Sequence, residues 1–480
     1  MAPCFPCNPE ALSGKRITLM GLGTFGGGVA AAEYLVNCGA RLTITDTASE
    51  ENLIKSLDHI RGELNLKLER CTLGGHVEED FRDAELLVVN PAVRPGNPWI
   101  QYVREKSIPI TTELGLLWNE LRWKGMKVAA VTGSNGKSTT SALLHALFKE
   151  HFGTAWLGGN LGGSLLSDLL LMQKGDWVVL EVSSFQLYYL ESLQPTTDVA
   201  IVTNFSPNHL DWHQIVSHYR ESKQRLIEYQ NSDGITVLNV DDSASCDWPT
   251  RGERHLFGIS ATDELTINGE EIRFPVLEWT GLKGRHHLAN IAAAMTAAQA
   301  VGVPLDTMQK GLHQFEPLPH RLQWIGEING RDFYNDSLAT TPESAMAALR
   351  AFDRPIILLA GGSDKGSDLE PFAKEIRTRC KQVILMGDTQ VKLAELINQH
   401  RTSEVALVES LIESLVDYSI ANSFSEAMQS AWDASQVGDI ILLSPGCASY
   451  GWFRDFRERG ERFVEQYQQL VTQSTPDRLD

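Results

Sequence analysis

Lys127-Val128-Ala129-Ala130-Val131-Thr132-Gly133-Ser134-Asn135-Gly136-Lys137-Ser138-Thr139 is the stretch that decides how this chain is read. An apolar run enters a turn containing two glycines and leaves through Gly-Lys-Ser-Thr, the order of a buried strand, a tight turn and a helix. Backbone N–H groups of such a turn surround phosphate oxygens, a lysine adds an ammonium and a hydroxyl is offered to Mg²⁺. The expected ligand is ATP, held by Gly133, Ser134, Asn135, Gly136, Lys137, Ser138 and Thr139. The spacing is short: Val131 stands where G-x-x-x-x-G-K has its first glycine.

The same strand–turn–helix order occurs twice more, at Arg16–Met20 with Gly21-Leu22-Gly23-Thr24-Phe25-Gly26, and at Pro355–Ala360 with Gly361-Gly362-Ser363-Asp364-Lys365-Gly366. Apolar strands alternating with amphipathic helices predict an α/β protein with parallel sheets covered on both faces. Its 480 residues exceed one ordinary core. Three domains are expected: a Rossmann-like N-terminal one (1–125), a central P-loop ATPase-like one with a parallel or mixed sheet (126–325) and a Rossmann-like C-terminal one (326–480). Pro317-Leu318-Pro319-His320-Arg321 breaks a helix before the second joint.

A net charge of −19 repels a nucleic-acid backbone, so no nucleic-acid partner is expected. No run reaches the about 18 apolar residues of a membrane helix, and no basic-then-apolar leader opens the sequence. A cytoplasmic monomer without membrane contact is the expectation. Seven cysteines, an odd and scattered set, argue against a disulfide framework, and those beyond Cys4 and Cys7 are expected to be reduced and mostly buried. Cys4-Phe5-Pro6-Cys7 has no second pair to complete a zinc site.

Gly21-Leu22-Gly23-Thr24-Phe25-Gly26 matches G-x-G-x-x-G, and Asp46 ends the next strand where a dinucleotide fold keeps its ribose-binding acid. Alone, this reads as an NAD(P)-dependent oxidoreductase. The small residues require only that a phosphate approach the backbone and a helix N-terminus, which another nucleotide diphosphate satisfies equally.

Thr132-Gly133-Ser134-Asn135-Gly136-Lys137-Ser138-Thr139 resembles the ATP loop of the Mur ligases, enzymes that add amino acids to the peptidoglycan precursor; folylpolyglutamate synthases share a similar loop. Further stretches resemble the same family in order along the chain. Leu180-Glu181-Val182-Ser183-Ser184-Phe185-Gln186-Leu187 resembles the segment with a Mg²⁺-binding glutamate. Thr203 to His213 resembles the next, with His209 as the metal-linked histidine. His218-Tyr219-Arg220-Glu221-Ser222-Lys223 resembles the stretch whose lysine is carbamylated. The resemblance thus implies metal binding by Ser138, Glu181, His209 and carbamylated Lys223, at two Mg²⁺ ions, and catalytic roles for Lys137, Glu181, His209 and Lys223. Asn290 in Gly284–Asn290, Arg321 in Pro319-His320-Arg321 and Asp336 in Asn335-Asp336-Ser337 are implied on the ATP side. Without the resemblance, Lys223 would be read as a solvated lysine, and His213 as half of a zinc pair that has no third ligand.

Within the family, the first domain and Leu442-Leu443-Ser444-Pro445-Gly446-Cys447-Ala448-Ser449 are most similar to the D-glutamate-adding members. That likeness implies ATP-dependent ligation of D-glutamate to UDP-N-acetylmuramoyl-L-alanine. It assigns Gly23, Thr24, Phe25, Asp46, Thr47 and Asn160 to the uridine substrate, and Thr340, Lys365, Ser449 and Phe456 to D-glutamate. Departures from the family pattern are Leu338 for a lysine, Ala48 for a basic residue, Phe25 for a small hydroxyl residue, Asn90-Pro91-Ala92 for Ser-Pro-Gly and Asn208 for an acid. Another amide ligase of this type, an oxidoreductase and an ATP-binding relative without turnover remain the alternatives.

Overall fold

The computed structural model describes residues 9–23, 26–161, 163–280, 282, 286–364, 367–404 and 416–474. Among these residues the strands form three sheets.

The first sheet contains β1 (Arg16–Met20), β2 (Arg41–Asp46), β3 (Arg70–Leu73), β4 (Leu86–Val89) and β5 (Ile110–Thr111) in the order β3-β2-β1-β4-β5. All four pairings are parallel. β4 is buried at every position, as its uninterrupted Leu-Leu-Val-Val demands. The helix expected after the first glycine turn spans Gly27–Asn37. The sheet grows one way through β2 and β3 and the other way through β4 and β5, so the crevice at the C-terminal ends of β1 and β4 is the switch point.

The second sheet contains β6 (Lys127–Thr132), β7 (Ala155–Gly159), β8 (Trp177–Glu181), β9 (Val199–Val202), β10 (Ile235–Asn239), β11 (Glu253–Ile259), β12 (Leu265–Ile267) and β13 (Glu270–Ile272), in the order β13-β12-β11-β10-β9-β6-β8-β7. It is mixed: β12 and β13 add antiparallel strands to a parallel body. Helix Glu113–Lys124 joins the first two sheets. Thr112 Oγ1 accepts from Gly115 N–H (3.2 Å) at its start, and Gly125 at φ 70° ends it. Leu114, Leu116, Leu117, Trp118 and Leu121 are all buried in a core shared with β1, β2, β4, β6 and β8. The two sheets consequently lie in one compact unit, extending to Thr280 and including His287–Phe315.

The second unit takes Gly281–His286 and the chain from Glu316 onward. Its sheet contains β14 (Gln323–Ile328), β15 (Arg331–Asn335), β16 (Ile356–Ala360), β17 (Cys380–Leu385), β18 (Asp417–Ile420) and β19 (Ile440–Leu443), ordered β14-β15-β19-β16-β17-β18. Among the described strands of this sheet, only β14 pairs antiparallel. Residue 325 therefore lies inside β14, and the change of unit comes earlier, at the proline-containing segment after helix Leu305–His313.

Five described cysteines are free; Cys380 and Cys447 are buried, whereas Cys38, Cys71 and Cys246 are only partly so, which corrects the expectation of mostly buried thiols. Cys4 and Cys7 lie outside the described residues. No described helix is long and apolar enough to cross a membrane.

Candidate active site

β6 lies between β8 and β9, so the turn at Gly133 opens beside Glu181 and Thr203, at the C-terminal ends of three adjacent parallel strands. Both turn glycines are required. Gly133 sits at φ 146° and a Cβ there would come 1.9 Å from Thr203 Oγ1; Gly136 sits at φ 82°, where a Cβ would come 2.2 Å from Asn290 Oδ1. The segment after β9 clamps the turn. Asn135 N–H donates to Asn204 Oδ1 (2.9 Å), and Asn204 Nδ2 donates to Asn135 O (3.1 Å). Ser134 Oγ donates to Ser206 O (2.8 Å), accepts from Ser206 N–H (2.9 Å) and lies 3.0 Å from the Tyr219 hydroxyl. Helix Lys137–Phe152 starts at the lysine, with Ser138 and Thr139 buried in its first turn. Lys137 Nζ donates to Ser134 O (3.0 Å). Asn290 reaches this turn from helix His286–Ala300, its Oδ1 lying 3.4 Å from Thr140 Oγ1.

Lys223 is not a surface lysine: it is 1% exposed, and its ammonium donates to Gly133 O at 2.6 Å. Burial, reinforced by the charge of Lys137, pushes its amine well below the usual lysine range, against the pull of Glu181. Glu181 is the last residue of β8 and is 3% exposed. Its Oε1 accepts from Asn160 Nδ2 (3.0 Å), whereas the buried Oε2 has no hydrogen-bond partner among the described residues. A buried carboxylate oxygen left so is costly unless a cation meets it. His209 adopts φ 55°, and its ring meets Phe185 edge-on at 5.0 Å. His213 is buried, its Nε2 2.9 Å from Ser184 Oγ and its Nδ1 2.9 Å from His218 Nδ1. Desolvation, helped by His218, His209 and Lys223, lowers His213 to about 3, so it is a neutral core histidine. No group of three His, Cys, Asp or Glu side chains is placed to hold a metal among the described residues. A cation at Glu181 would need other oxygens, such as the Ser138 hydroxyl and phosphate, which are the ligands Mg²⁺ prefers. The donor set fits that ion.

At the switch point of the first sheet is a cavity of about 620 Å³, lined by Gly21, Gly23, Asp46, Thr47 and residues of the loop after β4, among them Asn90, Arg94 and Asn97; His76 and Gln214 also contribute. Asp46 is used internally: its Oδ2 accepts from Gly23 N–H (3.2 Å) and its Oδ1 from Ala48 N–H (2.8 Å). Gly21 is needed for packing as well, since a Cβ there would come 2.7 Å from Asn90 Cβ. Asn160, expected with this group, sits after β7, and its N–H donates to Glu181 O (2.8 Å) at the phosphate-loop end. Thr24 and Phe25 lie outside the described residues.

In the second unit, the loops after β15 and β19 leave neighbouring parallel strands. Asp336 is buried; Ser444 Oγ (2.7 Å) and Leu322 N–H (3.1 Å) donate to its carboxylate. Burial pushes that carboxyl up to about 7, although the two donors and the charges of Arg321 and Arg459 pull it down. Thr340 follows on the first loop, and Gly446 N–H of the second donates to Ala339 O (3.0 Å). Ser449 is buried on the second loop, and Phe456 begins helix Phe456–Ser474. Leu338 is partly buried and its N–H donates to His320 O (2.9 Å). Lys365 lies outside the described residues.

Several site-lining groups carry no local signal. Asn204 and Ser206 were visible only as part of a motif, and Arg94, His76 and Gln214 sit on separate loops that only the fold brings together.

Residues 15–112 match the family model described as the Mur ligase MurD-like N-terminal domain, residues 131–298 the Mur ligase middle domain, and residues 320–447 the Mur ligase glutamate ligase domain. The chain is 35% identical to the UDP-N-acetylmuramoylalanine–D-glutamate ligase of Roseiflexus sp. (strain RS-1), covering 94% of this chain and 98% of that one. It is 30% identical to the enzyme of the same name from Thermoanaerobacter pseudethanolicus, covering 96% and 99%. Among solved structures, the UDP-N-acetylmuramate-alanine ligase MurC of Thermotoga maritima superposes with a TM-score of 0.59 at 17% identity, over 95% of this chain and 99% of that one, a likeness of fold.

Proposed function

Because this chain belongs to the Mur ligase family, we propose that it joins D-glutamate to UDP-N-acetylmuramoyl-L-alanine at the expense of ATP, in the synthesis of the peptidoglycan precursor. One observation carries the chemistry: a phosphate turn whose Gly133 carbonyl is held by the buried Lys223, beside a Glu181 oxygen with no hydrogen-bond partner among the described residues. The acceptor and amino acid follow from the relatives, which match over nearly their whole length. The redox reading of the first glycine turn is overturned by the match of that domain to the MurD-like N-terminal family. Its cavity suits the diphosphate of a uridine nucleotide.

The terminal carboxylate of the acceptor attacks the γ-phosphorus of ATP, the bond to the bridging oxygen breaks, and ADP leaves. The resulting acyl phosphate is attacked at its carbonyl carbon by the D-glutamate amine, which loses a proton as phosphate departs with the C–O bond. The protein's part is positioning and charge neutralisation. Lys137 and the N–H groups of the turn other than those of Ser134 and Asn135, which donate to Asn204, hold the β- and γ-phosphates, and Thr139 closes the first turn. Asn290 and Arg321 serve the ATP side, with Asp336. Bound Mg²⁺, at two sites, would neutralise the anions that meet here; Ser138, Glu181, His209 and Lys223 would hold it. A neutral amine is the form that adds CO₂, so the depressed Lys223 is suited to carbamylation, which converts a cation into an anion able to bind metal. Gly23, Thr24, Phe25, Asp46 and Thr47 hold the uridine substrate, while Thr340, Lys365, Ser449 and Phe456 hold D-glutamate.

The test is ADP release by the purified protein with each component omitted in turn. Release should require both UDP-N-acetylmuramoyl-L-alanine and D-glutamate, and Lys137→Ala should abolish it while leaving the thermal unfolding transition in place. Full turnover with L-glutamate or a folate acceptor instead, or by the variant, would overturn the reading.

A further inference from the structure

Thr340 and Ser449 stand on two irregular loops, and a dicarboxylate can be held between them only if the loops keep a fixed separation. One side chain spans both. Arg459, in the first turn of helix Phe456–Ser474, is 1% exposed. Its Nε donates to Ser337 Oγ (3.0 Å) and its Nη2 to Ser337 O (2.9 Å), while Nη1 donates to Cys447 O (3.1 Å). The guanidinium thus grips one loop three residues before Thr340 and the other two residues before Ser449. The helix turn that carries it is fastened to the same strand end: Ser337 Oγ donates to Phe456 O (2.7 Å), and Asn335 Nδ2 to Gly460 O (3.0 Å). Arg459 also lines a small cavity with Ser449, Gly361 and Gly362, so it faces the same space as a proposed substrate residue.

Burying a guanidinium is expensive, and an apolar residue of similar volume commonly serves a core as well or better. What an apolar residue cannot supply is a planar fork addressing three fixed acceptors at once, and a lysine ammonium, a point charge on a flexible stem, reproduces it poorly. Asp336, one residue before Ser337, lies close enough to interact electrostatically with the guanidinium.

We propose that Arg459 is a positioning residue for the amino-acid substrate, setting the Asp336–Thr340 loop against the Pro445–Ser449 loop so that Thr340 and Ser449 meet the carboxylates of one D-glutamate. This rests on the reading of the chain as a D-glutamate ligase. Steady-state kinetics of wild type, Arg459→Lys, Arg459→Met and Ser337→Ala test it, with each of the three substrates varied separately. Arg459→Met should raise KM for D-glutamate roughly tenfold or more, the effect of losing buried charge-assisted hydrogen bonds, and leave KM for ATP and for the uridine substrate unchanged. Arg459→Lys should recover part of the loss. Ser337→Ala, which keeps the cation but removes one acceptor, should shift the same constant by less; it carries the test if the Arg459 variants do not fold. Unchanged KM for D-glutamate in the folded variants, or an equal rise for ATP, overturns the proposal. A wild type that releases no ADP in response to D-glutamate overturns the reading beneath it, and the proposal with it.

Discussion

At position 223 a lysine that belongs on solvent by its helix pattern lies at 1% exposure against the Gly133 carbonyl. Desolvation of that kind acts on single residues throughout the protein, and Glu113 gives a cleaner case. Its carboxylate accepts from the Ser164 hydroxyl with no charged partner among the described residues to offset burial, and its pKa rises from 4.5 to about 7. The folded state therefore keeps this proton to higher pH than the unfolded chain does. The stability it contributes is complete below pH 4.5 and is lost as pH rises through about 7. Glu113→Gln cannot lose a proton there, so its melting temperature should fall less between pH 5 and pH 8 than that of the wild type, measured by circular dichroism. Parallel melting curves would show that Glu113 ionises as freely when folded as when unfolded. Lys223→Ala should reduce turnover by at least about a hundredfold, the scale of one lost electrostatic contribution, and ¹³C-bicarbonate labelling of the wild type should give a carbamate carbon that the variant lacks.

Elements formed from adjacent residues were legible in the chain. The three strand–turn–helix blocks begin where apolar runs meet glycine, and helix Lys137–Phe152 starts at Lys137 because the turn ends on Gly136 in the left-handed region. Gly136→Ala adds left-handed strain of ~1–2 kcal/mol and pushes a Cβ against Asn290, so KM for ATP should rise by about tenfold. Helix Glu113–Lys124 was not recognised as the joint between two sheets, because its nearly all-round burial shows only when both sheets are in place. Trp118 lies at 0% exposure there, with its indole N–H donating to Thr196 O (3.2 Å). Trp118→Ala should cost about 3–5 kcal/mol in urea unfolding; a loss below 1 kcal/mol would mean that the helix does not hold the two sheets together. The clamps on the loops were illegible for the same reason. Asn204 lies 69 residues from Asn135 and Arg459 lies 122 from Ser337, and only tertiary structure makes them neighbours.

Over the whole molecule, each sheet presents its loops at the C-terminal ends of parallel strands, and each such end carries a different candidate chemistry: a nucleotide-sized cavity, a phosphate turn with a buried lysine and carboxylate, and two loops bridged by one arginine. The domain order and the glycine turn after β6 could be read from sequence because they rest on contiguous motifs, whereas the cavity of the first sheet could be read only in part. Asp46 lines it, yet both its oxygens serve backbone N–H groups, and the residues that shape the rest of the cavity come from loops without a motif. The central claim is that this molecule activates an acceptor carboxylate with ATP and passes it to D-glutamate. The most direct measurement uses UDP-N-acetylmuramoyl-L-alanine labelled with ¹⁸O in its carboxylate and follows the label by mass spectrometry. One ¹⁸O should appear in each phosphate released, in step with the amide to D-glutamate. Phosphate free of label, or label transfer without amide, would contradict the account.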